Sequence, residues 1–206
     1  MRKKELSILL SKLSTFEKPK IGLEQYSIDG ESASTILWNS FLLNDIKNKT
    51  IADLGCGTAI LGLGALLLGA KHCYFVDKSK TAIEIAKKNL ALLEKAGFLS
   101  RKEKKATFFV CDVTRFKKKV DTILQNPPFG TKQQHADRAF IDAALGIGKV
   151  IYSLHKTSTL DFIKSYIANR GIISHTFGLK LQLKATMPFH TAKIKRIDVT
   201  CIRIKK

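Results

Sequence analysis

Apolar positions recur along this chain in two rhythms, one helical and one alternating, and their succession predicts the architecture. Leu6, Leu9, Leu10 and Leu13 share one helical face at the head of the chain. A loop at 16–20 and the segment 23–28 separate it from a second predicted helix over about 32–43, with Ile36, Leu37 and Phe41 inward. A strand at 50–54 then enters the turn 55–58 and an apolar helix over 60–68. The next strand, 72–76, ends in Asp77 and leads to a long helix over 80–95, which carries Ile83, Ala86, Leu90 and Leu93 on one face and stops at Gly97. A third strand at 107–110 ends at Cys111-Asp112, and a fourth at 120–125 delivers Asn126-Pro127-Pro128-Phe129. A polar loop at 130–137 precedes a helix over 138–145, a strand at 149–153 and a helix over 158–168. The last two strands, 171–177 and 194–204, have no helix between them.

Strands alternating with helices imply an α/β fold with a parallel sheet and helices on both faces. The final pair must then run antiparallel, which gives a seven-stranded mixed sheet. The expected organisation is one domain over 1–206, with a helical extension at 1–45 packed on a core at 46–206.

Charge adds a partner to this picture. Lys and Arg number 36 against 17 for Asp and Glu, a formal net charge of +19, and a field of that sign favours a polyanion such as nucleic acid. Cys56, Cys73, Cys111 and Cys201 are scattered without a close pair, so they read as reduced and structural, and no metal site is expected. The longest apolar run, 59–70, is too short to span a bilayer, and no secretory core follows Met1-Arg2-Lys3-Lys4-Glu5. A cytoplasmic location is the expectation.

Candidate chemistry gathers at strand ends. The glycines of Gly55-Cys56-Gly57-Thr58 allow a ligand to approach the backbone of the first turn. Asp77, at the tip of the second strand, can accept both hydroxyls of a ribose; alone it could equally be a helix cap. Asp112, ending the third strand, can accept an adenine N–H or serve as a turn residue. In a dinucleotide-binding G-x-G-x-x-G the last position is glycine, and here it is Ile60. After the fourth strand, two successive prolines stiffen the turn. Asn126 and the carbonyl of Pro127 can there accept both N–H bonds of a planar NH2 group, with Phe129 as a stacking wall. An ordinary strand-ending turn is the alternative for those four residues.

Two motifs turn these groups into a family. Asp53-Leu54-Gly55-Cys56-Gly57 resembles the first motif of the Rossmann-like class I methyltransferases, which bind S-adenosyl-L-methionine. Asn126-Pro127-Pro128-Phe129 resembles the signature of those that methylate planar-conjugated amino groups. Phe16-Glu17-Lys18-Pro19-Lys20, Leu23-Glu24-Gln25-Tyr26, residues 52–57, residues 126–132 and Tyr152-Ser153-Leu154-His155-Lys156 look like the methyltransferase-like protein 5 family. That resemblance implies methylation of adenosine N6 in small-subunit ribosomal RNA. It places cofactor contacts on Gln25, Ile28, Gly55, Thr58, Ile60, Asp77, Asp112 and Val113, and the catalytic turn on Asn126, Pro127, Pro128 and Phe129. Ile28 stands where the family has a polar Thr, and Thr58 where a Cys or Gly is common.

Other acceptors fit the same turn: guanine N2 of RNA, or a glutamine amide in a protein, although the glutamine enzymes usually carry Tyr where Phe129 stands. A non-catalytic RNA-binding or assembly module would need neither Asn126 nor Asp77. Tyr152 and His155, at the end of the fifth strand, are either pocket or RNA contacts or structural residues. The resemblance also implies a small zinc-binding activator protein. The third strand, Thr107-Phe108-Phe109-Val110, is its expected docking edge because it is short, aromatic and free of charge.

Overall fold

The computed structural model describes residues 1–16, 28–128, 136–184 and 194–206. Thr50–Leu54 (β1) is apolar on both faces because it is covered on both: Ile51, Ala52 and Leu54 have no exposed surface. The other strands are β2 (His72–Asp77), β3 (Ala106–Val110), β4 (Val120–Gln125), β5 (Gly148–Lys156), β6 (Ile172–Lys184) and β7 (Ile194–Lys205). The sheet order is β3-β2-β1-β4-β5-β7-β6. The first five strands are parallel, and β7 lies antiparallel between β5 and β6, which gives the expected mixed sheet.

Helices α1 (Lys3–Ser11), α2 (Gly30–Leu42), α3 (Ile60–Leu67) and α4 (Lys80–Lys95) cover one face, packing Leu6, Leu10, Ile36, Leu37, Leu63 and Ile83 into one core. Helices α5 (Ala136–Ile147) and α6 (Leu160–Ile167) cover the other through Ile141, Ala144, Ile163 and Ile167. The register aligns the carboxyl ends of the central strands, pairing Leu54 with Val76 on one side and with Gln125 on the other. The direction of winding reverses between β1 and β4, where open α/β sheets form their ligand crevice. No helix among the described residues is long and apolar enough to cross a membrane.

Several boundaries differ from expectation for local reasons. Helix α2 starts at Gly30 because the Asp29 Oδ1 accepts the Ser32 N–H at 2.8 Å, a cap two residues earlier than predicted. A short 3-10 turn, Thr157–Thr159, stands where the last helix was expected to start, and α6 begins at Leu160. Strand β5 runs to Lys156 because β7 pairs with it beyond the end of β4, through Leu154, His155 and Lys156, and Leu154 and His155 are buried there. Strand β6 continues through Gly178 to Lys184 because β7 pairs with it along that whole length.

The end of β5 also settles the nature of Tyr152 and His155, which are structural. Tyr152 has no exposed surface, and its hydroxyl donates to Asp45 Oδ2 at 2.6 Å. Arg203 grips the same carboxylate with Nε at 2.7 Å and Nη2 at 3.1 Å, and Nε also donates to the Tyr152 hydroxyl at 3.1 Å. On the opposite face, the Gln125 amide donates to Ser153 Oγ at 2.9 Å, which lies 2.7 Å from His155 Nε2. Burial lowers the His155 pKa to about 4, so the ring stays neutral in the core.

Candidate cofactor and acceptor site

The carboxyl end of β1 turns into α3 through a loop only part of which could be built from other residues. Gly55 has φ +65° and Gly57 φ +54°, both in the left-handed region. A Cβ on Gly55 would also come within 2.7 Å of the Phe140 ring, so backbone angle and packing both require glycine there. The loop is pinned from beneath. The Cys56 N–H donates to the Val76 carbonyl at 3.0 Å, and the Gly57 N–H donates to Asp77 Oδ2 at 2.9 Å. The other oxygen of Asp77 accepts the Ser79 N–H at 2.8 Å. Each carboxylate oxygen therefore holds one backbone donor and has a lone pair left for a ligand. Burial raises the Asp77 pKa, and the Ser79 and Gly57 donors oppose that rise.

Behind the loop, Asp53 Oδ2 accepts the Gly62 N–H at 2.8 Å and so ties β1 to the first turn of α3. Burial pushes its carboxyl up to about 7, against the Gly62 bond and with a further push from the Asp77 charge. Burial also raises the thiols of Cys56 and Cys73 far above their usual range, which leaves them protonated and unreactive. Among the described residues no cluster of His, Cys, Asp and Glu could hold a metal ion.

One pocket opens over this edge. Ile28, Gly55, Thr58, Ile60, Asp77, Asp112 and Val113 all line it, together with Asn126 and Pro128 from the turn after β4. Gln25 and Phe129 lie outside the described residues. Pro127, between Asn126 and Pro128, is buried. Asp112 serves as a turn residue, one of the two roles expected of it. Its Oδ1 accepts the Thr114 N–H at 2.9 Å and hydroxyl at 2.7 Å, capping a 3-10 turn, and it stands on the pocket rim. Those two bonds hold its pKa below the usual carboxylate value.

Three contributors to the pocket escaped the sequence reading. Phe140, on α5, lies over Gly55, and Phe16 lies about 3.7 Å from where a Gly57 Cβ would stand. The third is Asn89 of α4, which is buried and acts as a hub. Its amide donates to the carbonyls of Thr58 and Ser14 at 3.0 Å each, and its Oδ1 accepts the Ser14 N–H at 2.8 Å. It thereby ties the chain entering Phe16 to the glycine loop. A polar residue interrupting the apolar stripe of Ile83, Ala86 and Leu93 was the available signal.

The chemistry of this pocket fits S-adenosyl-L-methionine. A glycine loop leaves backbone open to a ligand, the Asp77 carboxylate has spare lone pairs that can accept hydroxyls, and Ile28 and Val113 offer apolar surface to a purine. Fold and site together define a class I S-adenosylmethionine-dependent methyltransferase. Residues 26–147 match the methyltransferase small domain. The rRNA N(6)-adenosine-methyltransferase METTL5 of Danio rerio is 36% identical over 98% of this chain and 98% of its own. An uncharacterised protein of Methanocaldococcus jannaschii is 38% identical over 100% of this chain and 95% of its own. The crystal structure of a Pyrococcus horikoshii protein described as a candidate RNA methyltransferase superposes with a TM-score of 0.89 at 39% identity, covering 100% of this chain and 98% of that one. The chain belongs to the METTL5 family of methyltransferases.

Proposed function

We propose that the protein methylates the N6 amino group of an adenosine in small-subunit ribosomal RNA. The observation that carries this reading is the shared cavity: Asn126 and Pro128 line the same pocket as Gly55 and Asp77, so acceptor turn and cofactor loop face each other. S-adenosyl-L-methionine supplies a methyl group already activated by its sulfonium. Asp77 accepts the ribose hydroxyls with its remaining lone pairs. The backbone of Gly55 and the residues Thr58 and Ile60 line the methionine and ribose side, while Ile28 and Val113 enclose the adenine. Asp112 accepts the adenine N–H with Oδ2, since Oδ1 is occupied by Thr114. Gln25 completes this set by family resemblance.

The acceptor nitrogen is the chemical obstacle, because its lone pair is delocalised into the base. Asn126 Oδ1 and the Pro127 carbonyl accept its two N–H bonds and favour the pyramidal amine. They also stabilise the positive charge that grows on nitrogen as the bond forms, which is binding specific to the transition state. No strong base is needed first, because the methylated ammonium is acidic. Pro128 stiffens the turn, and Phe129 stacks on the splayed base to hold the line of attack. The net charge of +19 suits RNA better than a protein acceptor.

Incubation with labelled S-adenosyl-L-methionine and whole small ribosomal subunits, followed by separate digestion of the RNA to nucleosides and of the protein to amino acids, tests the reading. Label in N6-methyladenosine is the expected result; label in a protein glutamine or in guanosine would overturn it. Asp77→Ala is expected to raise the cofactor's dissociation constant about tenfold, since it removes the ribose acceptor and frees the Gly57 N–H from its anchor. Calorimetry showing unchanged affinity would move the ribose contact elsewhere.

The chain works in the cytoplasm and takes a small zinc-binding activator protein on the edge of β3. That strand ends the sheet, and Val110 at its tip is 54% exposed. Phe108 is committed inward, stacked on Phe75 at 4.8 Å, and Phe109 packs edge-on against Phe116 at 5.2 Å. Charge is therefore best introduced at Val110. Val110→Asp is expected to abolish co-purification with the activator without lowering the melting temperature. A wild-type chain that is monomeric and fully active alone would show that β3 needs no cover.

A further inference from the structure

A buried amide stands behind the cofactor pocket, where an apolar side chain would otherwise pack. Asn89 of α4 is 1% exposed and shares a buried stripe with Ala86 and Leu93. An amide in a core is costly unless its hydrogen bonds are made, and those of Asn89 all go to backbone at two walls of the pocket. Its Nδ2 donates to the Thr58 carbonyl on the glycine loop and to the Ser14 carbonyl on the chain leaving α1, at 3.0 Å each. Its Oδ1 accepts the Ser14 N–H at 2.8 Å. Asparagine supplies two donors and an acceptor at that reach; aspartate lacks the donors, and glutamine is longer by a methylene.

Each end of this bridge fixes a pocket surface. On the loop side, the peptide between Thr58 and Ala59 is held by both of its groups: its carbonyl accepts from Asn89, and its N–H donates to the Cys56 carbonyl at 2.7 Å. Ala59 sits at φ +72°, a conformation that a residue other than glycine keeps only when its surroundings impose it. Ile60 and Leu61, which line the pocket, follow directly. On the other side, Leu13 is buried in the helical core and Ser14 is bound through both backbone groups, so the chain is directed before it reaches Phe16. The half-buried Phe16 ring then lines the pocket, 3.7 Å from where a Gly57 Cβ would stand. Asp77 accepts the Gly57 N–H, so the ring and the ribose acceptor meet at the same residue.

We propose that Phe16 is a cofactor-binding residue whose ring covers the glycine-loop side of S-adenosyl-L-methionine, and that Asn89 is the positioning residue that holds it there. A ring laid against the bound cofactor removes apolar area of both from water and strengthens the hydrogen bonds made at Asp77 by excluding solvent from them. Asn89 does not touch the ligand. It keeps ring and loop at one spacing before the cofactor arrives, so binding does not have to order them. The inference rests on the cofactor alone, and the identity of the methyl acceptor does not enter it.

Calorimetry of S-adenosyl-L-methionine binding to the full-length chain, with no acceptor present, tests it. Phe16→Ala and Asn89→Ala are each expected to raise the dissociation constant about tenfold. The double variant should bind about as weakly as Asn89→Ala alone, because a ring that is no longer held has little left to contribute. A double variant about a hundredfold weaker than wild type, the product of the two effects, would show that the residues act separately. Asn89→Ser, which leaves room for water to reach the two carbonyls, must repeat the alanine result, and it decides the question if the alanine chain does not fold. A reporter separates positioning from general stability. Trp38 is the single tryptophan, so Phe16→Trp in a Trp38→Phe chain puts the one indole on the proposed wall. Its emission should change on addition of cofactor and, without cofactor, shift to the red when Asn89→Ala or Asn89→Ser is added. Unchanged affinity for Phe16→Ala, or an indole indifferent to either the cofactor or Asn89, would overturn the proposal. A chain that binds the cofactor in this pattern yet methylates no RNA would count against the proposed function alone.

Discussion

Asn126→Ala is expected to bind S-adenosyl-L-methionine almost as tightly as the wild-type chain and to transfer its methyl group about a hundredfold more slowly, or worse. Asn126 lines the pocket at the stiff turn after β4, while the anchored elements of the cofactor side, Asp77 and the glycine loop, sit after β1 and β2. Removing one preorganised polar contact to charge that develops only in the transition state costs roughly two to three powers of ten in rate. Single-turnover methyl transfer beside calorimetry of the cofactor separates the two effects. Near wild-type transfer would mean that the amine is activated by other groups. A loss shared equally between cofactor binding and rate would mean that the turn shapes the whole pocket and has no specific role in the chemistry.

The second large effect concerns stability. Arg203→Met should destabilise the fold by about 3–5 kcal/mol, because it leaves the Asp45 carboxylate buried with its strongest partner gone. The Tyr152 hydroxyl would still donate to that carboxylate, but a neutral donor does not compensate a buried charge. Pairing the change with Asp45→Leu should recover most of the loss, since the penalty lies in the orphaned charge. Denaturant unfolding of the two variants measures this directly. A loss below about 1 kcal/mol for Arg203→Met would mean that water or chain relaxation reaches Asp45.

These two residues mark where the sequence could and could not be read. Asn126, Gly55 and Asp77 are legible because each owes its place to a few neighbouring residues: two prolines, a turn at positive φ, the tip of a strand. Phe140, Phe16 and Asn89 are not. Asn89 meets Ser14 across 75 positions, and only the packing of α4 on the sheet brings them together. The Asp45–Arg203 pair, 158 positions apart, is hidden for the same reason. Tyr152 and His155 stand three positions apart in a block resembling the family, and strand alternation sends them to opposite faces, where each is consumed by buried partners. The lengths of β5 and β6 were underestimated because pairing with β7 sustains strand geometry where polar residues and Gly178 suggest an end. Lysines on a strand flanked on one side only cost little, since half of its side chains can reach water.

The position of β7 between β5 and β6 has a kinetic meaning. Among the described residues strand β6 pairs with β7 alone, so its ladder waits until β7, later in the chain, has been made and has found its slot. That single insertion forms two ladders at once and delivers Arg203 to Asp45 in the same step. Contacts spanning so much of the chain close slowly, because the entropy of the loop is lost before the pairing compensates for it. The waiting state presents two open edges, β5 and β6, that could join each other wrongly or recruit another chain. A ligand that steadies the β4–β5 end of the sheet would therefore act first on how long that state survives, and only then on the finished molecule.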